Sequence, residues 1–407
     1  MKIIKYTYKF RLKPTDDQKI FLNKHFGSIR WTYNYFLNQR KKEYLNNKKS
    51  LNYYDQSKEL TQLKKNENTK WLKEVNSQTL QFSLNNLDMA YQNFFKKRTQ
   101  FPKFKSRKSK NSFTIPQFVS YDKNKLIIPK FLEGIKMIME RKIKGKIKKA
   151  TISKTSTGKY FVSILTEKQH IPLNKTNQSV GIDLGIKDFL VLSNGTKTKN
   201  HRFLRHYERF LSKNQQHLSR KTNGSSRYEK QRIKVARIHE KITNSRMDLI
   251  HKTALNLVKE FDVIYLEDLN VKGMMKNHKL SKLINDVSWG KFIETLTYKA
   301  EWNDKYIIHI DRFFPSSKTC NKCGWVNNSL TLKDRTWTCK KCDEVLDRDI
   351  NASINILNEG YRKNISDGTS DYDRGAKLRL SSESISNETF KEKELYVPET
   401  TTSLMSW

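Results

Sequence analysis

Residues 319–352 read TCNKCGWVNNSLTLKDRTWTCKKCDEVLDRDINA and contain every cysteine of the 407-residue chain. The cysteines form two C-x-x-C pairs that are separated by 15 residues, Cys320 with Cys323 and Cys339 with Cys342. Two such pairs supply four thiolates in a tetrahedral arrangement, which suits one structural zinc ion. We therefore predict a four-cysteine zinc ribbon at residues 319–342. Two disulfides are a weak alternative for cysteines that are clustered in a chain without an export signal.

Asp349 follows this segment directly and begins a predicted helix. Two more acids lie on predicted strands further upstream. Asp183 lies within the strand VGIDL, and Glu267 ends the apolar stretch DVIYLE. Ligands of α/β sheets bind at the carboxyl ends of strands, and a helix start can direct its side chain back to that edge. We therefore expect the three carboxylates to converge on one point.

A cluster of three carboxylates repels itself unless protons or cations neutralise it. Hard divalent cations, Mg²⁺ or Mn²⁺, prefer such oxygen ligands, and a two-ion site can activate water and stabilise the leaving 3′ oxygen of a phosphodiester. Each acid taken alone has an ordinary alternative as a helix cap or a surface charge. Asp268 is expected to point to the face opposite Glu267, and Asp347 is expected to cap the helix that Asp349 begins.

The chain is strongly basic, with 80 Lys and Arg residues against 41 Asp and Glu residues and a formal net charge of +39. Residues 361–407 contain seven basic and eight acidic residues, so the whole surplus lies before them. Self-repulsion of this size opposes folding unless a polyanion neutralises it. No apolar run of about 18 residues exists for a membrane span, and the start of the chain lacks the pattern of a secretory signal. We therefore expect a cytoplasmic, nucleic-acid-binding protein with no membrane partner.

The first half of the chain combines strand and helix patterns. Ile3–Leu12 alternates like a strand with one buried face, and Thr15 with Gln18 forms a capping box for a following helix. A second helix carries an apolar stripe at spacings of three and four residues. The stripe consists of Leu80, Leu84, Leu87, Tyr91 and Phe94. Strand patterns return between Phe101 and His170, with a hairpin at Ser-Thr-Gly (156–158). These patterns predict a β-barrel or sheet module with a helical domain inserted after its first strand.

The second half has the pattern of an α/β domain. The predicted strands are Val180–Leu184, Phe189–Ser193, Asp262–Glu267 and Tyr306–Ile310, and the predicted helices are a hairpin at about 201–261, Val287–Trp302 and Asp349–Asn358. The hairpin has strongly basic faces, because Arg202–Lys252 contains 14 basic and four acidic residues. The composition of residues 361–407, rich in Ser, Thr, Asn and charge, predicts a disordered tail that is dispensable for chemistry.

Five segments of the sequence resemble the TnpB family of insertion-sequence-encoded nucleases, which are related to type V CRISPR effectors. They are GIDLGIKDF (181–189), IYLEDL (264–269), FFPSSKTC (313–320), RTWTC (335–339) and DRDINASINI (347–356). The resemblance covers residues 1–357 in order. It implies a multidomain α+β protein, with an N-terminal wedge β-barrel that carries a helical recognition domain. A RuvC-type, RNase H-like nuclease domain follows, and the zinc ribbon is inserted in it.

The resemblance gives these predicted domains their names. They are the wedge β-barrel at 1–12 and 100–175, the helical recognition domain at 13–99, the RuvC-like nuclease domain at 176–318 and 343–360, the zinc ribbon at 319–342 and the tail at 361–407.

The activity implied by the resemblance is RNA-guided cleavage of double-stranded DNA next to a short transposon-adjacent motif. The guide is a noncoding RNA from the transposon end, and it pairs with the target while the protein reads the short motif. In the family the catalytic acids lie in the GIDLG, YLEDL and D-x-N-A motifs, which are Asp183, Glu267 and Asp349 here. They imply two Mg²⁺ or Mn²⁺ ions in addition to the zinc ion. We expect a monomer in complex with its RNA.

Candidate contacts to the adjacent motif come from a looser match, over LNYYDQSKELTQLK (51–64) and WLKEVNSQTLQ (71–81). They are Tyr53, Ser57, Ser77 and Gln81. Ser77 stands where a basic residue is common in the family, and all four are equally well explained as residues of a helix surface.

Three other functions remain open on the sequence. A transposase that catalyses strand transfer also uses three acids, but the zinc ribbon before Asp349 speaks against it. A catalytically inactive, RNA-guided repressor would be expected to lose at least one acid, and all three are present. The third alternative is an accessory nucleic-acid-binding protein without catalysis.

Overall fold

A computed structural model describes residues 1–107, 110–331 and 333–366 of the chain. The chain forms two compact units, Met1–His170 and the described residues from Ile171 onward. Within the described residues, no helix is both long enough and apolar enough to cross a membrane.

The first unit consists of one antiparallel sheet and a group of helices. Its strands are β1 (Lys2–Leu12), β2 (Asn111–Ile115), β3 (Ser120–Asp122), β4 (Lys125–Ile128), β5 (Phe131–Ile138), β6 (Lys146–Lys154) and β7 (Tyr160–His170). Its helices are α1 (Asp16–Asn47), α2 (Tyr53–Leu63), a 3₁₀ helix (Glu67–Glu74) and α3 (Ser77–Phe95). The seven strands follow the order β2-β6-β7-β1-β5-β4-β3. All helices are inserted between β1 and β2, as the sequence predicted.

Local sequence signals explain where these elements begin and which face they bury. Thr15 accepts a hydrogen bond from the backbone N–H of Gln18, whose side chain returns to the Thr15 N–H, so the predicted capping box is present at the start of α1. Leu80, Leu84 and Leu87 of the predicted stripe are fully buried on α3. They join one core with the apolar face of the sheet, which stabilises both layers through the hydrophobic effect.

The second unit is built around a mixed five-stranded sheet. Its strands are β8 (Ser179–Asp183), β9 (Asp188–Leu192), β10 (Lys197–Lys199), β11 (Val263–Glu267) and β12 (Tyr306–Ile310), in the order β10-β9-β8-β11-β12. β11 pairs in parallel with β8 and β12, whereas β9 pairs antiparallel with β8 and β10. A separate hairpin consists of β13 (Thr336–Thr338) and β14 (Val345–Asp347).

The helices of this unit are α4 (Phe203–Ser219), α5 (Ser226–Glu260), α6 (Val271–Met274), α7 (His278–Val287), α8 (Trp289–Trp302) and α9 (Arg348–Ser366). α4 and α5 form the predicted hairpin around a small core of Leu211, Val235, Ile238 and Ile242. The sequence analysis did not identify α6 or α7. Asp286 connects α7 to the α4–α5 hairpin. Its carboxylate accepts hydrogen bonds from the Leu204 N–H of α4 and from Arg246 of α5.

Helix α9 packs closely on the strands β8 and β11. A Cβ atom added at Gly181 would collide with the α9 backbone at Ser353, and one added at Gly360 would collide with the ring of Tyr265. Glycine at both positions therefore permits the backbone of one element to approach the other.

The helix is longer than the sequence predicted. It ends at Ser366, so residues 361–366 are helical, which corrects the start of the predicted disordered tail. Tyr361 explains the extension, because its ring contacts Tyr265 and its hydroxyl hydrogen-bonds to Ser179. The rest of the predicted tail lies outside the described residues.

Candidate active site and cysteine cluster

Asp183 and Glu267 end two adjacent parallel strands. The register of β8 and β11 pairs Ile182 with Leu266, so the two acids occupy the next position on each strand. Side chains of a strand alternate between its faces, so Asp183 lies on the same face as Gly181. That face is covered by α9. Both acids therefore lie at the carboxyl edge of the sheet, on the side of the helix.

Asp349 reaches this edge from α9. The helix runs antiparallel to β8, since Tyr361 contacts Ser179 at the start of the strand while Ser353 lies over Gly181 further along it. The first turn of α9, which contains Asp349, consequently lies toward the end of β8.

Asp347 and Asp268, the two acids next to the predicted site, make other contacts, of which the helix cap by Asp347 was predicted from the sequence. Asp347 caps α9, because its Oδ1 accepts hydrogen bonds from the backbone N–H groups of Asp349 and Ile350 at 3.0 Å each. It also pairs with Lys197 at 2.8 Å. Asp268 is exposed and pairs with Arg312. Both carboxylates are paired with cations, although the charge of Asp347 also contributes to the raised pKa of Asp183.

The pKa of Asp183 reflects its burial and the proximity of the other two acids. Burial, followed by the negative charges of Glu267 and Asp349, raises the pKa of Asp183 from its ordinary value of 3.8 to about 8. Arg348 opposes the shift. In the absence of cations, the Asp183 carboxyl therefore keeps a proton at neutral pH, as expected for an acid that faces two like charges.

Two side chains hold the other acids in place. The Ser316 hydroxyl donates a hydrogen bond to Oε1 of Glu267 at 2.5 Å, and Ser316 is itself buried. Arg335, from the predicted ribbon, lies 3.6 Å from Oδ2 of Asp349. Neither contact was apparent from the sequence.

The four cysteines form a compact cluster. Their sulfur atoms all lie within 4.8 Å of one another, with 3.7 Å between Cys320 and Cys342 and 3.5 Å between Cys323 and Cys339. Four sulfur atoms at about 2.3 Å from a central ion would be separated by about 3.8 Å, so the cluster fits a tetrahedral metal site. Burial acts to raise the pKa of Cys339, but the backbone N–H groups of Lys341 and Cys342 and the side chains of Cys323 and Cys342 together lower it to about 7. Burial raises the pKa of Cys320. Although the backbone N–H of Glu344 acts to lower the pKa of Cys342, burial and hydrogen bonds with the other thiols raise it to about 12. A metal ion would therefore displace protons from the thiols of Cys320 and Cys342.

The three carboxylates are not drawn together to this degree, since within the described residues only the cysteines form such a close group of ligand atoms.

Two asparagines connect the cysteine cluster to helix α9. The side chain of Asn351 donates to the Thr319 carbonyl at 2.8 Å and accepts from the Asn321 N–H at 2.9 Å. Asn355, one turn later, donates to the Ser316 carbonyl at 2.8 Å. Both asparagines are buried, so these hydrogen bonds fix the first cysteine knuckle to the helix that carries Asp349. The spacing N-x-x-x-N in the last motif was the signal for this contact, because it places both amides on one helix face.

The ribbon tryptophans pack inward. Trp337 is buried with the cysteines and Leu346, and Trp325 packs against the same cluster. Both rings therefore belong to the small apolar core around the cysteines.

The candidate contacts to an adjacent DNA motif divide into two pairs. Tyr53 and Gln81 line one cavity of about 170 Å³ in the first unit, together with Gln78 and other residues that the sequence analysis did not identify. Ser57 and Ser77 do not line it.

Known proteins are similar in sequence to this chain over most of its length. A relative from Streptomyces pristinaespiralis, named "Putative RNA-guided DNA endonuclease", is 38% identical over 88% of this chain and 90% of its own. A relative of the same designation from Escherichia coli (strain K12), InsQ, is 30% identical over 87% of this chain and 92% of its own.

Three family models match parts of the chain. "Probable transposase" matches residues 163–278, "Cas12f1-like, TNB domain" matches 289–356, and "Helix-turn-helix domain" matches 1–49. In this structure the last range contains strand β1 and the single helix α1, without a second helix.

One solved structure, titled "Cryo-EM structure of the Cas12f1-sgRNA-target DNA complex", superimposes with a TM-score of 0.52 at 14% sequence identity. The match covers 87% of this chain and 98% of that chain, and at this identity it shows a shared fold. These two relatives are at least 30% identical to this chain over most of both sequences, and the five sequence motifs agree with them. The chain therefore belongs to the TnpB family.

Proposed function

We propose that this protein is an RNA-guided endonuclease that cuts double-stranded DNA next to a short transposon-adjacent motif by RuvC-type phosphodiester hydrolysis. The observation that carries the proposal is the meeting of Asp183, Glu267 and Asp349 at one sheet edge, from two strands and a helix. The relatives' designation as RNA-guided DNA endonucleases supports the guide and the substrate. The net charge of +39 supports phosphate chains as partners.

The chemistry of the three acids fits divalent cations. Three carboxylates without a cation leave Asp183 protonated at neutral pH, whereas hard cations such as Mg²⁺ or Mn²⁺ relieve the repulsion and bind carboxylate oxygen. Asp183, Glu267 and Asp349 would hold two such ions. When bound, the ions would supply an activated water and stabilise the leaving 3′ oxygen.

The neighbouring residues position these acids. Ser316 orients the Glu267 carboxylate through its hydrogen bond to Oε1. Arg335 offsets part of the negative charge of Asp349 and is half exposed, so it is also accessible to a phosphate at the site. Asp347 holds the first turn of α9 by capping it, which fixes the direction of the Asp349 side chain.

Zinc is the proposed ion of the cysteine cluster, because four thiolates at these separations match its preferred geometry. The order β10-β9-β8-β11-β12, with α9 across β8, supports an RNase H-like nuclease fold for the second unit. The seven-stranded sheet with inserted helices supports the wedge barrel and recognition domain of the first unit. We further propose a monomer bound to one guide RNA in the cytoplasm, with Tyr53 and Gln81 among the contacts to the adjacent motif.

The proposal is tested by purifying the protein with its co-expressed RNA and sequencing that RNA. Cleavage of a plasmid library with randomised flanks is then assayed with Mg²⁺. We expect cutting that depends on the guide and on one flanking motif. Failure of any RNA to co-purify would sink the guided model. Strand transfer in place of hydrolysis would favour a transposase, and guided binding without cutting would favour a repressor.

A further inference from the structure

The first unit contains an open cavity of about 820 Å³, and its lining residues have no role in the function proposed above. Its floor is the middle of α1, one wall is the 3₁₀ helix Glu67–Glu74, and the other wall is the loop at Phe104–Arg107. Its volume lies within the range of about 300–1,000 Å³ that is typical of small-ligand pockets.

Four of the residues that line this cavity carry aromatic rings. They are Trp31, Tyr35, Trp71 and Phe104. Trp31 stacks on Tyr35 with their ring centroids 4.9 Å apart, and it meets Trp71 edge to face at 5.3 Å. Trp71 is 37% exposed and Phe104 is 50% exposed. The exposed faces of Trp71 and Phe104 are flat apolar surfaces that a planar ligand would cover.

The loop wall is fixed to the floor. The Asn34 side chain donates to the Lys105 carbonyl at 2.8 Å and accepts from the Lys105 N–H at 2.8 Å. The Lys105 ammonium lies 3.8 Å from the ring centroid of Tyr33, and the Lys41 ammonium lies 5.0 Å from that of Phe104. These contacts attach the loop to α1 at several points, so the cavity is a preformed feature of the unit.

A glycine in the floor keeps the cavity open. Gly27 lies within α1, where glycine is among the least favourable residues for a helix. A Cβ atom added there would meet no atom within 4 Å, so packing against the protein does not require glycine. Because Gly27 lines the cavity, a longer side chain would occupy the space that the glycine leaves.

The rim of the cavity is positively charged. Lys24, Arg30 and Arg107 line it, and its one carboxylate, Glu74, pairs with Lys24 at 2.5 Å. Three cations against one acid attract a phosphate chain, while the rings below suit the base attached to it.

We propose that this cavity binds an unstacked nucleobase of single-stranded RNA, stacked on the aromatic rings while Arg30 and Arg107 contact the flanking phosphates. Unpaired RNA bases are recognised by stacking on aromatic side chains, whereas the bases of a DNA duplex are paired and unavailable until the guide opens it. The inference rests on the proposed function for the presence of an RNA partner.

The test fills the cavity from its floor. Gly27→Leu is compared with Gly290→Leu, a matched control because Gly290 also lies in a helix with no atom within 4 Å of an added Cβ. Each full-length protein is purified with its co-expressed RNA, irradiated with ultraviolet light and mapped for RNA adducts by mass spectrometry. We expect adducts on Trp31 or Trp71 in the wild type and the control, and their loss in Gly27→Leu.

A second measurement does not depend on the guide. The full-length protein is titrated with a short fluorescein-labelled uridine RNA and with the corresponding thymidine DNA. Trp71→Ala and Gly27→Leu should each weaken RNA binding by about tenfold, while Gly290→Leu leaves it unchanged.

The outcomes separate this inference from the proposed function. Unchanged RNA binding by Gly27→Leu, or RNA adducts that avoid the cavity, would overturn the cavity assignment and leave guided cleavage intact. Tighter binding of the DNA than of the RNA would overturn the assignment to RNA. Cavity-dependent RNA binding in a protein that co-purifies with no RNA would uphold the site and reject the guided nuclease.

Discussion

The cysteine cluster and the carboxylate cluster of the second unit are assembled in opposite ways. The cysteines come from one segment, 320–342, and their sulfur atoms lie within 4.8 Å of one another. The acids come from β8, β11 and α9, and burial together with the like charges of Glu267 and Asp349 raises the pKa of Asp183 to about 8. The first cluster stabilises its own surroundings once a metal binds, whereas the second weakens the fold that assembles it.

The difference also explains what the sequence could predict. The C-x-x-C spacing carries the whole geometry of the cysteine cluster in two short loops, so it was apparent without a fold. The acids needed the register of β8 with β11 and the direction of α9, which depend on long-range packing such as Gly181 against Ser353. Strand alternation favoured Glu267 over Asp268 from the sequence alone, and the resemblance to TnpB favoured the same residue.

Some positioning contacts had no signal of their own in the sequence. The Ser316 hydroxyl reaches Glu267 because the chain turns back across the end of β11 after β12, and no periodic pattern reports such a turn. Helices α6 and α7 were missed because their apolar residues cover too few turns to form a recognisable stripe.

Asp183→Asn should produce the largest effect and should separate activity from stability. Cleavage is expected to fall by about 10³-fold or more, because the amide is a poor ligand for a hard cation. The folded protein without divalent cations should instead become more stable at neutral pH, by about 1–3 kcal/mol. Single-turnover cleavage and thermal unfolding in Mg²⁺-free buffer measure the two quantities.

The stabilisation has a definite pH dependence. The folded state keeps the Asp183 proton up to a pH of about 8, whereas the unfolded chain loses it near the ordinary pKa of 3.8. The stability due to that proton is complete below pH 3.8 and is lost as pH rises toward 8. The advantage of Asn over Asp should therefore grow across this interval. An advantage that is constant with pH would contradict the raised pKa of Asp183.

Cys339→Ser should show the reverse pattern, with stability and activity lost together. Removal of one thiolate is expected to abolish tight zinc binding and unfold the ribbon, and the asparagine contacts would pass the disorder to α9. We expect cleavage to fall by about 100-fold, with loss of bound zinc by elemental analysis. Lys340→Ser, at the exposed neighbouring position, is the matched control. Full activity of a zinc-free protein would show that the carboxylate cluster does not depend on the cysteine cluster.

Ser316→Ala tests that link at a single hydrogen bond. Loss of the contact to Oε1 of Glu267 should lower cleavage by about tenfold and raise the Mg²⁺ concentration needed for half-maximal rate. Bound zinc and guide RNA should be unchanged, which a merely structural defect would not allow. Ser316→Thr should restore most of the rate because it keeps the hydroxyl, and Ser317→Ala serves as the neighbouring control.

Asp268→Asn should have the smallest effect, less than about twofold on cleavage. Asp268 directly follows Glu267, yet its carboxylate pairs with Arg312 on the surface, and exposed ion pairs of this kind contribute between about 0 and 1 kcal/mol. The matched change, Glu267→Gln, removes a charge from the carboxylate cluster and should cost activity on the scale of Asp183→Asn. Assay of both variants under single-turnover conditions compares adjacent acids on one strand end. Equal losses would mean that the carboxylate cluster is wider than three acids, because strand alternation alone would then fail to separate the two positions.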